Sequence, residues 1–96
     1  MARNERVTKV IDGDTFKTNM RKNSIRLSGV NAPEMKNKGG SAAKNELQKL
    51  IGNKTVNIQP VARDKYGRTV AKVKIGTRSV NNAMNKKLSD RTYRGL

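Results

Sequence analysis

The 96 residues make one small domain, with room for a single modest core and not for two. Lys and Arg number 22 against 7 Asp and Glu, a formal charge of +15, and that excess favours a polyanionic partner, nucleic acid first, over an acidic small molecule. The absence of cysteine and histidine excludes a disulfide framework, a zinc thiolate site, a thiol nucleophile and the commonest general base, so any catalysis runs on carboxylates, arginines or a metal.

The opening MARNERVTKV lacks the apolar stretch of a signal peptide, and no apolar run approaches the roughly 18 residues of a membrane span. The expectation is a chain that is cytoplasmic as it stands, or secreted if a signal has been trimmed, with no membrane partner. Low hydrophobicity with high charge leans towards disorder; the periodicity argues for order.

Val7 to Thr18 is rich in β-branched residues and is broken by Asp12-Gly13-Asp14, a turn or bulge signal inside a strand. Asn19 to Asn23 is polar and turn-like, and Ser24 to Val30 resumes as a strand before Pro33 stops it. These segments predict a meander of three strands. Gly39-Gly40 is a flexible break, after which Ser41 is placed to cap a helix to about Ile51, with Ala42, Leu47, Leu50 and Ile51 on one face and Gly52 as terminator. Lys54 to Val61 alternates with Val56, Ile58 and Val61 on the buried side; Thr69 to Ile75 does so through Val70 or Ala71, Val73 and Ile75, and Tyr66-Gly67 turns between them. Ser79 opens a second helix through Val80, Ala83, Met84 and Leu88, followed by a basic tail over 89–96. The whole predicts a single α+β domain over 1–96, core about 7–88, built as a small five-stranded OB-type barrel with two helices. The open face of such a barrel commonly binds oligonucleotides.

Several residues suit chemistry on a phosphodiester. Asp12 and Asp14, two apart, would on a regular strand point to one face and offer two carboxylates to a hard cation; the same residues also make an ordinary Asp-Gly-Asp turn. Pro33 restricts Ala32 to an extended backbone. Glu34 is one of few carboxylates: beside a metal and arginines it would stay ionised and accept a proton, and otherwise it is a surface glutamate in a lysine-rich loop. Arg26 and Arg68 carry guanidinium forks, which bind phosphate oxygens bidentately and suit the extra charge of five-coordinate phosphorus better than lysine does. Tyr66 can stack on a base, hydrogen-bond a phosphate or hold the turn before Gly67. Lys36, Lys38, Arg63 and Lys65 suit tracking of a nucleic-acid backbone without reading sequence. With only Phe16, Tyr66 and Tyr93 as aromatic residues, stacking is limited and sequence specificity is not expected.

Three segments, IDGDTF (Ile11 to Phe16), IRLSGVNAPE (Ile25 to Glu34) and RDKYGR (Arg63 to Arg68), in this order and strand context, resemble the staphylococcal (thermonuclease-like) nuclease family over about Val7 to Leu88. The resemblance implies an OB-fold and a nuclease hydrolysing DNA or RNA with calcium as cofactor. It implies that Asp14 ligates the metal directly, that Asp12 stands behind it or contributes through water, and that Thr15 supports the site. Asn31 stands where the family usually carries a second metal-binding aspartate, keeping an oxygen but losing a charge; the backbone carbonyl of Ala32 would still serve. Glu34 matches the general base or water-orienting group, and Arg26 and Arg68 the two phosphate-contacting arginines. The alternative is a noncatalytic OB-fold domain that binds nucleic acid and has lost metal affinity through Asn31. A third reading is a structural ribonucleoprotein component. A monomer is expected. The family usually adds a third, C-terminal helix, and the chain ends too soon after Leu88 to hold a full one.

Overall fold

Alternating apolar and polar residues make the first strand pair in the computed structural model, which describes the backbone over residues 2–94 and side chains to Ser89. In β1 (Arg3–Asp12), Glu5 and Val7 face inward, and a register shift between Val7 and Lys9 changes the parity so that Val10 follows them. The strand therefore starts at Arg3, where it pairs with Ile58, and not at Val7. Gly13 and Asp14 turn the chain into β2 (Thr15–Thr18), so Asp12-Gly13-Asp14 is a hairpin connection and its two carboxylates do not lie along one strand face. Gly13 is required there. A Cβ would come within 2.6 Å of the Ala43 side chain and 2.7 Å of that of Ala32.

β3 (Ile25–Leu27) pairs antiparallel with β2, completing the expected meander. β4 (Thr55–Arg63) pairs antiparallel with β1 and with β5 (Thr69–Ile75), and β5 returns to pair parallel with β3 through Ile25 and Thr69, Arg26 and Val70, and Leu27 and Ala71. The five strands thus close as β3-β2-β1-β4-β5, the predicted OB-type barrel, with the two-residue β6 (Arg78–Ser79) appended to β5. Val61, expected in the core, is 48% exposed. A register shift between Pro60 and Ala62 turns it outward, while Val56 and Ile58 before the shift are buried.

α1 (Gly40–Ile51) is capped by Gly39 in the left-handed region at φ 88°, with no side-chain cap. Ser41 is consequently the second helical residue and not the cap. The helix starts early because Gly40 packs directly on the Glu34 carbonyl, where a Cβ would clash. That rotates the buried stripe to Ala43, Leu47 and Ile51, so Ala43 replaces Ala42 on the inner face; the helix ends at Gly52 as predicted. In α2 (Val80–Arg94), Ser79 is the cap: its Oγ accepts the Asn82 N–H at 3.1 Å. Val80 and Met84 are buried and Leu88 packs at the edge. The backbone stays helical to Arg94, through most of the expected tail; the Tyr93 side chain and residues 95–96 lie outside the described part. No helix among the described residues is long and apolar enough to cross a membrane.

Phe16, Ile25, Leu27, Leu47, Ile58 and Met84 fill the barrel and its helix-covered ends. Among the polar side chains buried within the described residues, Glu5 and Asn81 tie separate segments together, and both are satisfied. Glu5 accepts the Thr18 hydroxyl at 2.7 Å and the Arg21 Nε–H at 3.0 and 3.1 Å. Asn81, 8% exposed, accepts the Val73 N–H at 2.8 Å and donates to the carbonyls of Ser28 at 2.8 Å and Ala71 at 3.1 Å. Asn81→Ala would orphan at least the Val73 N–H and the Ser28 carbonyl, a loss of about 2–3 kcal/mol. Urea unfolding should show that loss, whereas Asn82→Ala, one residue on and exposed, should shift stability by less than about 0.5 kcal/mol.

Candidate active site

The parallel β3–β5 ladder decides which side chains share a surface. Ile25 and Thr69 face inward as partners, so their neighbours Arg26 and Arg68 emerge on the same outer face. Arg26 is fixed there. Its Nη2 donates to the Val30 carbonyl at 2.9 Å and to Asn31 Oδ1 at 2.7 Å, and lies 3.5 Å from Asp14 Oδ2.

Asp14 comes from the β1–β2 turn and is 7% exposed. Its Oδ1 accepts the Thr15 hydroxyl at 2.8 Å and its Oδ2 the Ala32 N–H at 3.0 Å, so the carboxylate ties the turn to the loop after β3. Asp12 stands behind it, its Oδ1 accepting the Asp14 N–H at 3.0 Å. Burial, then the side chain of Asp14, push the Asp12 carboxyl above the ordinary aspartate value, against the backbone hydrogen bond that favours its charge. Asp12, Asp14, Arg26, Asn31 and Ala32 therefore meet at one place, with Thr15 bracing Asp14.

Glu34 lies on the same loop but outside that contact set. Its side chain is 69% exposed and its carboxylate lies 3.6 Å from Lys36 Nζ, while its backbone carbonyl accepts the Asn37 N–H at 2.9 Å. Lys36 and Lys38 are exposed beside it, and Arg63 is exposed at the end of β4.

Arg68 is clamped by Asp64, which its residue type alone does not single out. The Asp64 Oδ2 accepts the Arg68 Nε–H at 2.6 Å, and Oδ1 accepts the N–H groups of Arg68 at 2.9 Å and Tyr66 at 3.0 Å. Its place four residues before Arg68, at the start of a turn through Gly67, was the available signal. Tyr66 is exposed, and its ring lies 5.2 Å from both the Arg68 guanidinium and the Lys65 ammonium. The Tyr66 ring thus both lies beside Arg68 and remains open to solvent.

Among the described residues no three acidic side chains gather as a metal cluster. What the site offers is an all-oxygen set of lower charge: two carboxylates, the Asn31 amide oxygen and the Ala32 backbone. Oxygen donors of this kind suit a hard divalent cation and not zinc or copper.

Residues 24–93 match the family model described as staphylococcal nuclease homologue. An uncharacterized endonuclease of Escherichia coli is 36% identical over 70 residues, 71% of this chain and 46% of its own length. One from Haemophilus influenzae is 33% identical over 79 residues, 79% of this chain and 44% of its own. A staphylococcal-like nuclease of Arabidopsis thaliana is 36% identical over 63 residues, 66% of this chain and 20% of its own. The chain thus spans under half the length of these bacterial relatives.

Burial pushes the Asp64 carboxyl up, but the backbone and side-chain hydrogen bonds from Arg68, with that from Tyr66, outweigh it and hold the group below the ordinary aspartate value. A folded-state value depressed in this way stabilises the turn above the unfolded value, and the contribution is lost as pH falls through the folded one. Carboxyl carbon NMR should show Asp64 titrating below an unperturbed aspartate, and Arg68→Ala should move it upward. Titration at the ordinary value in the unsubstituted protein would mean that the clamp does not persist in solution.

Proposed function

The chain belongs to the staphylococcal nuclease homologue family, and from that premise we propose that it hydrolyses phosphodiester bonds of DNA or RNA, as a monomer, with little sequence preference and with calcium as cofactor. The observation that carries the proposal is the placement of Arg26 beside Asp14 on the barrel face it shares with Arg68. The two guanidinium groups suit the non-bridging oxygens of one phosphate, each already oriented by a carboxylate, so little ordering remains to be done when substrate arrives. As charge grows on phosphorus, fixed donors stabilise it without reorganising. Glu34 reaches its task by leaving Lys36, whose exposed ion pair is worth little, and accepting a proton from the attacking water. Tyr66, Lys65, Lys36, Lys38 and Arg63 extend the contact along the nucleic-acid backbone without reading bases.

The donor set described above fits calcium. Asp14, the Asn31 amide and the Ala32 carbonyl would hold it, with Asp12 behind Asp14 or linked through water. A bound calcium ion supplies Lewis-acid polarisation of the phosphate. Asn31 weakens this site in two ways: it lacks the charge of a carboxylate, and its Oδ1 already accepts from Arg26. The second reading, a binding domain without catalysis, draws on the same contact and on the pairing of Glu34 with Lys36.

Incubation with labelled single- and double-stranded DNA and RNA, in calcium or in chelator, tests the proposal. Products that appear only with calcium are expected, and Arg26→Ala or Arg68→Ala should slow their formation on the order of 100-fold or more. Undiminished cleavage by Glu34→Ala would assign the activity to another source, and no cleavage under any condition would leave the binding domain.

Asn31→Asp separates the two readings further. A full charge a few ångströms from a divalent ion is worth several kcal/mol at an effective dielectric of about 20. Hydration and Arg26 offset much of it, so calcium affinity should rise about 5- to 150-fold, a net of roughly 1 to 3 kcal/mol. Superimposable calcium titrations of the two proteins would remove Asn31 from the metal site.

A further inference from the structure

A cleft of about 500 Å³ opens between the outer face of the β4–β5 ladder and the first turns of α2. Asn57, Gln59, Lys72, Lys74, Asn82 and Asn85 are among its walls, and none of Asp14, Arg26, Asn31, Glu34 or Arg68 lines it. Its walls follow from strand parity. Val56, Ile58 and Val73 point inward, so Asn57 and Gln59 on β4 and Lys72 and Lys74 on β5 point outward, and the register sets Asn57 opposite Lys74 and Gln59 opposite Lys72.

The chemistry of these walls is selective. Every polar lining side chain is a carboxamide, a hydroxyl or a lysine, with no carboxylate. The side chains of Gln59, Lys72, Lys74 and Asn82 make no hydrogen bond or ion pair with another described residue, unlike those of Arg21, Arg26, Lys36, Arg68 and Lys87, which all meet acids. Two lysines two residues apart on one strand face are about 7 Å apart along the strand. That is close to the separation of successive phosphates on an extended single strand. Carboxamides opposite them both donate and accept, as sugar and phosphate oxygens require. No aromatic side chain lines the cleft, so base stacking has no platform there.

We propose that this cleft is a second nucleic-acid contact, which grips two successive phosphates and their sugars outside the cleavage site. The proposal rests on nucleic acid being the ligand of the domain and not on its being cut. The cleft also joins the cleavage site through one loop. Asn81 donates to the Ser28 carbonyl and Asn85 to that of Gly29 at 3.2 Å, and the next carbonyl, that of Val30, holds Arg26. A strand lying over this loop touches both.

Fluorescence anisotropy with a mixed-sequence single-stranded 20-mer, in chelator so that nothing is cut, tests the contact directly. The double variant Lys72→Ala/Lys74→Ala should bind roughly 10- to 30-fold more weakly and lower the salt slope by about 1.4, the value for two phosphates of a single strand. A control with the same charge change on α1, Lys44→Ala/Lys49→Ala, should lose less than about 3-fold. The uncharged pair Gln59→Ala/Asn82→Ala should weaken binding about 3- to 5-fold with the slope unchanged. Equal losses from the cleft and α1 lysine pairs would show only a diffuse basic field and overturn the proposal, as would unaltered binding by the uncharged pair. Adding calcium to the same 20-mer keeps the two ideas apart: no cleavage with these binding differences intact defeats the nuclease and leaves the cleft, whereas normal cleavage without them defeats the cleft alone.

Discussion

The parallel pairing of β3 with β5 is the contact on which the rest of the molecule depends. It closes the barrel, and it is extended at both ends by the Thr69 N–H on the Ser24 carbonyl and the Ser28 N–H on the Ala71 carbonyl. Inward, it buries Ile25, Leu27 and Ala71; outward, it sets Arg26 and Arg68 on one face. One ladder therefore serves core and site together. Segments so distant in sequence meet only after loop-closure entropy is overcome. Fully buried Ile25 and Leu27, together with Asn81 fastened across the end of the ladder, supply part of the compensation.

The scarce acids are distributed by the same logic. Five ion pairs engage Glu5, Asp14, Glu34, Glu46 and Asp64. Among the described acids Asp12 alone meets no cation, and it stands directly behind Asp14, where burial and a like-charged neighbour already disfavour its ionised form. Most lysines and arginines are left without an acid, since 22 cations face 7 acids. The surface is therefore basic by excess, whereas at Arg26 and Arg68 the charge is aimed by a specific carboxylate. That distinction separates a general affinity for polyanions from the proposed site for one phosphate.

What the sequence revealed depended on how local the cause was. Alternation through Val56 and Ile58 in β4 and through Ala71 and Val73 in β5, like the Ser79 cap, is local, and it reads correctly. Ser41 reads as a cap because its neighbours favour one, but the fit of Gly40 against the Glu34 carbonyl is tertiary and moves the helix start. Val61 turns outward at a bulge, and an alternating pattern does not announce a bulge. The Asp12-Gly13-Asp14 hairpin reads equally well as a break within one strand, because a turn and a bulge share that composition. That Asp14, Arg26, Asn31 and Ala32 belong to one site came through resemblance to a family, since no spacing along the chain links the β1–β2 turn to the loop after β3. Asn81 left no signal, because a buried asparagine in a polar helix looks like its exposed neighbours.

The loop after β3 is where these constraints converge, and its backbone is fastened at close intervals. Leu27 N–H binds the Asp14 carbonyl, Asn81 and Asn85 hold the Ser28 and Gly29 carbonyls, Val30 is buried and bonded to Arg26, the Ala32 N–H meets Asp14, and Gly40 packs on the Glu34 carbonyl. In the proposed reaction, phosphate-binding groups on such a frame are held before substrate arrives, which is where electrostatic stabilisation gains most. The Glu34 side chain is the exception, attached to a fixed backbone but turned to solvent and Lys36. In the proposed reaction the charge-stabilising side of the site is thus built into the fold, whereas the proton-accepting side forms when one side chain rotates. For that reaction the adjustment left to be made lies at Glu34, and the loop confines it to side-chain torsions because the Glu34 carbonyl is already held by the Asn37 N–H and packed against Gly40.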